Sequence, residues 1–525
     1  MKTIIIILFL DLLFLFTALF ELQMLQQNSY NENDKFNKFI VNYIKNNYQI
    51  YLLKVLFGIC LLLFTNFSLP LMAFYIIIML LLLLSAFVNY KKYNDKLPLK
   101  FTKRMLRIIV LDFGLYIILQ LLFIHFYLPV FAGLMLIYIV INSYILIGVV
   151  NVLKPVEKLI FNHYKHMALS KLEKMDNLKI IGITGSFGKT STKMILESIL
   201  NTTYKGFYTP NSFNTPNGLL ITINNEQTIF NDYFIAEMGA KKVGEIKELA
   251  DLVHPKYGIL TSIGAAHLET FGSLENVCKT KFELIESLPS DGIAILNKDD
   301  SLMRGYKLKN NCKVIWIGID KKADVMADNI KITNKGTSFD IIFSDNTKIK
   351  VSTILLGIKN VYNILASAAL AKELGVPNKN IIRGVKNIAP INHRLEIKEN
   401  GNITIIDDAF NSNPEGAKNA LDVLSMMDGK KFIITPGMIE MGSEEENLNS
   451  EFGKQIASVC DKVFLVGPKQ TRPIYSGLIK KKYNEEDIIV TSSFKEAYNK
   501  AISMSGNKKT VILIENDLPD SYKEE

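Results

Sequence analysis

The sequence predicts an α/β protein behind an N-terminal helical membrane region: a central phosphate-binding domain on a parallel sheet with a β insertion, then a second α/β domain. Three observations predict it. The glycine-rich run Gly182–Thr192, GITGSFGKTST, lies between a strand pattern and a helix pattern. Apolar residues crowd the first third: residues 55–90 hold no charged residue, and 108–153 hold only Asp112, with His125. From residue 177 onward, short β-rich runs alternate with helical stretches, the pattern of parallel βαβ units.

A helix rises about 1.5 Å per residue, so about 20 apolar residues cross a bilayer core. Five spans fit, at roughly 3–23, 51–67, 71–90, 107–127 and 129–153. Asp11 is expected to face neighbouring helices, since no partner charge is evident. Lys91, Lys92, Lys96, Lys100, Lys103, Arg104 and Arg107 crowd the loop between spans three and four, which places that loop in the cytoplasm. The expected product is a multi-pass cell-membrane protein, with the lipid bilayer as a partner and everything after residue 153 inside. The net charge of +9 comes partly from this loop. No basic stripe interleaved with aromatics accompanies it, so nucleic acid is not an expected partner. Pro155–Met175 reads as an amphipathic linker helix. The four cysteines, Cys60, Cys278, Cys312 and Cys460, lie far apart and suggest neither a disulfide framework nor a zinc site.

Strands are expected at Lys179–Ile183, Tyr233–Glu237, Tyr257–Ser262 and Ile293–Asn297. Several short strands over 313–356 form the β insertion, and a helix follows at Val361–Leu374. A second series comprises Ile403–Asp407, Lys431–Thr435, Val463–Val466, Ile488–Val490 and Val511–Ile514. The expected domains are 1–153, 154–176 (the linker helix), 177–389 and 390–525.

The run Gly185–Thr190 is the shorter phosphate-loop pattern G-x-x-G-K-T; Ile183 occupies the first glycine position of the longer one. Such a turn aims backbone N–H groups and a helix N-terminus at a phosphate. Lys189 supplies a point charge and Thr190 a hydroxyl for Mg²⁺. Glu237 ends a strand, where a carboxylate borders the crevice of an open sheet, and reads as a metal ligand. His267 follows another strand end and suits a second metal. Lys281, on its own, reads as a solvated lysine.

Residues 177 to about 440 resemble the Mur ligase family, ATP-dependent amide-forming enzymes of cell-wall synthesis. The matching stretches are GITGSFGKTS, the Glu237 segment AEMGA, AHLETFGS, the Lys281 segment CKTKFELIE, LNKDD, GIKNVYNILASAA, HRLE and IIDDAFNSNPEG. The resemblance implies a Rossmann-like C-terminal domain. It implies that ATP is held by Gly185, Ser186, Gly188, Lys189, Thr190, Ser191, Asn297, Asp299, Asn360, Asn363, Arg394 and Asp408. It implies two Mg²⁺ ions on Thr190, Glu237, His267 and Lys281, with Lys281 carbamylated. Catalysis falls to Lys189, Lys281, His267 and Arg394, and substrate contact to Asn214, Asn411 and Asn413. AHLETFGS and DDAFNSNP imply addition of a D-Ala-D-Ala dipeptide, or another amino-acid amine, to a UDP-N-acetylmuramoyl-tripeptide or related peptidoglycan precursor. The chain departs from the family in three places. Lys359 replaces a histidine, membrane spans stand where the family has its UDP-sugar domain, and residues 514–522 read IENDLPDSY in place of a lysine–glycine–serine–arginine segment. Two other readings remain. One is a membrane-anchored ligase of another polymer, such as poly-γ-glutamate. The other is a nucleotide-switched membrane protein, against which the spans offer few polar residues to line a pathway.

Overall fold

A computed structural model describes residues 2–516, apart from 64–68, 95–97, 125–127, 176, 266–267, 411 and 440. The chain forms two compact units, one ending at Asn162 and the other beginning at His163.

The first unit is helical. Its elements are α1 (Lys2–Gln27), a 3-10 turn (Ser29–Asp34), α2 (Lys35–Asn46), α3 (Tyr48–Leu63), α4 (Leu69–Asn94), α5 (Lys103–Ile124) and α6 (Leu128–Leu172). Among the described residues, two stretches are long and apolar enough to cross a membrane, Ile7–Gln27 and Gly133–Leu172; Ile76–Lys91 is shorter. The spans expected at 51–67 and 107–127 run partly outside the described residues. Helix α2 was not foreseen: it buries Phe36 and Ile40 and exposes Lys35, Lys38 and Lys45. The linker helix expected over 155–175 is not a separate element. It continues α6, whose 45 residues run through Pro155. Inside, Leu10, Leu13, Phe14, Leu82, Leu136 and Ile139 form a core, and the Phe14 ring stacks on Tyr116 at 3.9 Å. Outside, Ile77, Leu80, Leu84, Val110, Ile118 and Leu121 are exposed.

The second unit holds two sheets. The first comprises β1 (Lys179–Thr184), β2 (Gly206–Tyr208), β3 (Tyr233–Glu237), β4 (Tyr257–Leu260), β5 (Ile293–Asn297), β6 (Lys313–Gly318), β7 (Val325–Thr333), β8 (Gly336–Ile342) and β9 (Lys348–Thr353), in the order β2-β3-β1-β4-β5-β6-β7-β8-β9. The strands from β2 to β7 pair in parallel, and β8 and β9 close the sheet antiparallel. The expected β insertion therefore extends the central sheet. Strand β3 is buried along its whole length, as a strand covered on both faces must be, whereas β9 alternates exposed and buried. The helices are α7 (Lys189–Leu200), α8 (Pro216–Glu226), α9 (Glu245–Val253), α10 (Leu268–Phe271), α11 (Leu274–Glu286), α12 (Ser301–Gly305), α13 (Ile358–Glu373) and α14 (Asn378–Lys386). Ile195 and Ile199 of α7 and Val361, Ile364 and Leu365 of α13 pack on Ile181, Ile183, Ile259 and Ile295 of the sheet.

The second sheet, β10 (Glu396–Asn400), β11 (Ile403–Asp408), β12 (Lys430–Thr435), β13 (Lys462–Val466), β14 (Ile488–Thr491) and β15 (Thr510–Glu515), has the order β10-β11-β15-β12-β13-β14. Only β10, at the edge, is antiparallel. Helices α15 (Pro414–Ser425), α16 (Glu445–Ile456) and α17 (Arg472–Lys480) share one core with it, and α18 (Phe494–Ser505) covers the other face. Helices α16 and α17 touch backbone to backbone. A Cβ on Gly477 would lie 2.1 Å from the Ser450 carbonyl oxygen. Gly477→Ala is therefore expected to cost about 1–3 kcal/mol, as overpacking does, and to lower the melting temperature of this unit in a thermal scan. An unchanged transition would contradict the contact.

Candidate functional site

The site lies along the carboxyl ends of β1, β3, β4 and β5. The turn after β1 needs glycine twice. Gly185 has φ +150°, and a Cβ there would fall 2.1 Å from Thr261 Oγ1; Gly188 has φ +83°, and a Cβ would fall 2.9 Å from Asn363 Oδ1. Ser186 donates through its hydroxyl to the Gly264 carbonyl, and the Phe187 N–H donates to Ser262 Oγ, both at 3.0 Å. The loop is thus pinned between β4 and α13. Ser191, in the first turn of α7, is buried and lines the adjoining cavity. Lys189 folds back over the loop, and its ammonium donates to the Gly185 carbonyl at 2.8 Å and the Ser186 carbonyl at 3.3 Å. Burial pulls this amine down to about 8; Glu237 opposes the shift and the Arg394 charge adds to it.

Glu237 is 1% exposed, yet three side chains converge on it. Thr190 Oγ1 lies 3.1 Å from Oε2, and Asn214 Nδ2 donates to Oε1 at 3.3 Å. Lys193 donates to Oε2 at 2.8 Å, and also to the carbonyls of Thr209 at 2.7 Å and Asn211 at 2.5 Å. Arg394 Nη2 reaches Thr190 Oγ1 at 3.5 Å. Lys193 was missed in the sequence. Its one signal is position: it follows Lys189 by four residues and so shares its helix face.

Arg394 arrives from the C-terminal side. Its neighbours His393 and Leu395 hold φ of 56° and 50°, and its guanidinium lies 4.4 Å from the Phe410 ring centroid. Asp407 anchors this segment, with His393 Nδ1 at 2.9 Å and Lys398 Nζ at 2.6 Å. His393, Glu396 and Asp407 have metal-ligand spacing, but the Lys398 ammonium already bridges Glu396 and Asp407. Asp408 accepts from the Leu395 N–H at 3.1 Å; burial raises its carboxyl to about 6 against the pull of Arg394.

A cavity of about 580 Å³ adjoins these groups, lined among others by Ser262, Asn297, Lys359, Asn363, Arg394 and Asp408. Lys359 pairs across it with Glu415 at 2.5 Å. Several expected contacts line this space with their polar atoms already engaged. Asp299 accepts from the N–H groups of Ile319, Asp320 and Lys321 and from the Tyr362 hydroxyl. Burial works against its charge, but these donors prevail and hold its carboxyl below the usual range. Asn413 caps α15, accepting from the Gly416 N–H at 2.8 Å. Asn360 donates to the Leu356 carbonyl and accepts from Asn363, whose oxygen takes the Thr192 hydroxyl. His267 and Asn411 lie outside the described residues. Lys281 is not the solvated lysine that its sequence alone suggests: it is 3% exposed, 5.7 Å from the Phe271 ring centroid. Burial, reinforced by the Lys189 charge, pulls its amine down to about 7.

A phosphate loop, a buried carboxylate and an arginine from a second domain around one cleft define a nucleotide-dependent ligase, and the chain belongs to the Mur ligase family. Residues 183–371 match the Mur ligase middle domain, and 393–515 match the family's glutamate ligase domain. The chain is similar to the UDP-N-acetylmuramoyl-tripeptide–D-alanyl-D-alanine ligase of Bacillus subtilis, 30% identical over 341 residues that cover 64% of this chain and 72% of that one. It is 32% identical to the Escherichia coli enzyme of the same name over 300 residues, covering 56% and 66%. Among solved structures, MurF ligase from Thermotoga maritima in complex with ADP aligns with a TM-score of 0.61 at 26% identity, over 68% of this chain and 80% of that one. MurF from Acinetobacter baumannii shares the fold, with a TM-score of 0.62 at 24% identity, over 68% and 77%.

Two expectations follow. Lys193→Met leaves Glu237 buried without the ammonium that competes for its Oε2, so divalent-ion affinity, read by isothermal titration with Mn²⁺ and a non-hydrolysable nucleotide, should rise; unchanged affinity would remove Lys193 from the site. Lys189 attracts phosphate only while protonated, and its amine sits near 8. Nucleotide affinity should therefore be full below pH 7, fall through pH 8 to 9, and lose that dependence in Lys189→Arg.

Proposed function

We propose that this chain is an ATP-dependent peptide ligase of peptidoglycan precursor synthesis, adding D-Ala-D-Ala to a UDP-N-acetylmuramoyl-tripeptide or a related precursor through an acyl phosphate. One observation carries the reading: Arg394 from the C-terminal domain meets Thr190 beside Glu237 and Lys189, so cations from both domains face one spot. The working domains are taken as 177–389 and 390–525.

Phosphoryl transfer needs little beyond positioning and neutralised charge. Lys189 and Arg394 face the γ-phosphate as it passes to the substrate carboxylate. The amine of the incoming dipeptide then attacks the acyl phosphate, the amide forms, and phosphate leaves. Closure of Arg394 and Asp408 over the cavity excludes the water that would hydrolyse that intermediate. Thr190 and Glu237 present hard oxygens side by side and suit Mg²⁺, which when bound neutralises phosphate charge. Lys193 fixes the Glu237 carboxylate, and Asn214 holds its other oxygen.

Lys281 is proposed to be carbamylated. Only a neutral amine adds to CO₂, and an amine near 7 is substantially neutral at cellular pH. The N–C bond forms, one proton leaves, and a carboxylate results. His267 is proposed to share a second Mg²⁺ with it. The N-terminal unit is proposed as a multi-pass cell-membrane anchor that leaves the catalytic domains in the cytoplasm. Its exposed apolar exterior supports this, since water would penalise such a surface and a bilayer would not.

The direct test incubates detergent-purified protein with Mg-ATP, the UDP-linked tripeptide and D-Ala-D-Ala. Phosphate release should require both acceptor and amine. Lys189→Ala should reduce it by on the order of 10²–10³ or more, since a fixed cation at the transferring group is lost. Release with another amine alone would reassign the substrate. Lys281→Ala should be inactive and partly rescued by short-chain carboxylic acids; full activity without them would remove the carbamate.

A further inference from the structure

Glu515 is another buried carboxylate of the catalytic unit, and no step of the proposed reaction uses it. It ends β15, the strand between β11 and β12, and is 1% exposed. Its register partner is Asp408, which ends β11. Two hydroxyls meet it: Ser412 donates to Oε1, and Thr435 donates to Oε2 at 2.9 Å. Among the described residues, no ammonium or guanidinium pairs with it. Glu515 also falls in the stretch 514–522, where this chain departs from the family pattern.

The Thr435 oxygen accepts the Gly437 N–H at 3.0 Å, which leaves its proton for Glu515. Glu515 therefore ties the turn after β12 to the turn after β11. An ionised carboxyl can accept from both hydroxyls at once, and hydrogen bonds to a charged acceptor are the stronger kind. Burial pushes the Glu515 carboxyl up to about 7, against the two hydroxyls and with the Asp408 charge, so the accepting form prevails at pH 8.

The turn after β11 is the one that holds Arg394. His393 and Leu395, on either side of the arginine, lie in the left-handed region at φ 56° and 50°. Such backbone persists only where its surroundings over-determine it. Here the Phe410 N–H donates to the His393 carbonyl at 3.3 Å, and Asp408 accepts from the Leu395 N–H at 3.1 Å. The Phe410 ring centroid lies 4.4 Å from the guanidinium. Phe410 is itself 50% exposed, so burial does not hold it. The Ala409 N–H donates to Asp407 at 3.3 Å and secures one end of the turn, and the Asn413 cap of α15 secures the other. Ser412, bound to Glu515, fastens the turn to the sheet.

We propose that Glu515 is a positioning residue: through Ser412 it fixes the turn after β11, and so holds Arg394 toward Thr190 and the γ-phosphate of bound ATP. The inference rests on the ATP-dependent reading given above. Glu515 itself touches no reacting atom.

The test uses the full chain in detergent at pH 8 with Mg²⁺. The probes are the β,γ-imido analogue of ATP and ADP, which lacks the γ-phosphate, and affinities are read by isothermal titration. Ser412→Ala and Glu515→Gln should each weaken the triphosphate analogue roughly three- to tenfold and leave ADP unchanged. Adding Ser412→Ala to Arg394→Ala should cost nothing further, because the positioned group is already gone. Equal losses for both nucleotides, an unchanged triphosphate affinity in either single variant, or additive losses in the double variant would overturn the proposal. Phosphate release with the UDP-linked tripeptide and D-Ala-D-Ala, measured on the same proteins, tests the ligase reading separately. The expected nucleotide pattern without phosphate release would remove that reading and leave the positioning role in place.

Discussion

The catalytic unit is organised around one buried carboxylate. Glu237 ends a strand that is buried throughout, so its charge must be met by protein groups. Lys193 meets it, and in doing so ties down the Thr209 and Asn211 carbonyls. That fixes the approach to Asn214, which holds the other oxygen. Thr190 then stands between Glu237 and Arg394. A buried pair of this kind adds little net stability, because both partners were desolvated to form it; losing one partner typically costs about 3–5 kcal/mol. Its value here lies in position. It brings a hydroxyl, a carboxylate and two cations to one spot, as the proposed polyphosphate and metal would require.

Much of this was legible in the sequence, and the gaps have physical causes. The parallel strands were readable because burial on both faces makes them near-continuous apolar runs, as in TVILIE of β15. Strand β2 has three residues and begins with glycine, too few for any period. Strand β10 reads EIKEN and sits at the sheet edge, where one neighbour suffices and polarity is tolerated. The motifs named residues that line the cavity, Asn297, Asp299, Asn363 and Asn413 among them, but could not tell whether their oxygens were free. Asp299 spends its oxygens on a loop and Asn413 on a helix cap. Lys193 escaped notice because a helical lysine is usually solvated, and only the strand beside it makes this one buried.

The helical unit shows the same limit more sharply. Its polar residues are rare, and read singly each looks like a lone liability in an apolar run. Glu21 and Asn142 stand 121 residues apart, and no local period links them. Packing turns scattered residues into a seam. Buried acids are also settled in different ways. The catalytic unit answers Glu237 with an ammonium and Glu515 with two hydroxyls. The helical unit answers Glu21 with a hydroxyl and an amide, leaving Lys54 to balance charge nearby.

The cleft between the two catalytic domains is bridged by weak polar links. Lys359 and Glu415 are each about half exposed, and such pairs contribute on the order of 1 kcal/mol or less. Arg394 reaches Thr190 only at 3.5 Å. Lys189 and Arg394 meanwhile repel each other, which is why the arginine helps to depress the lysine. An anion between them reverses the sign of that interaction. A polyphosphate in the cavity would be attracted to both domains at once and would replace a repulsion with two attractions. Closure would then draw its driving force from the nucleotide, and release of the anion would restore the repulsion. The two cations proposed to neutralise the transferring group would therefore also make the closed cleft conditional on its presence.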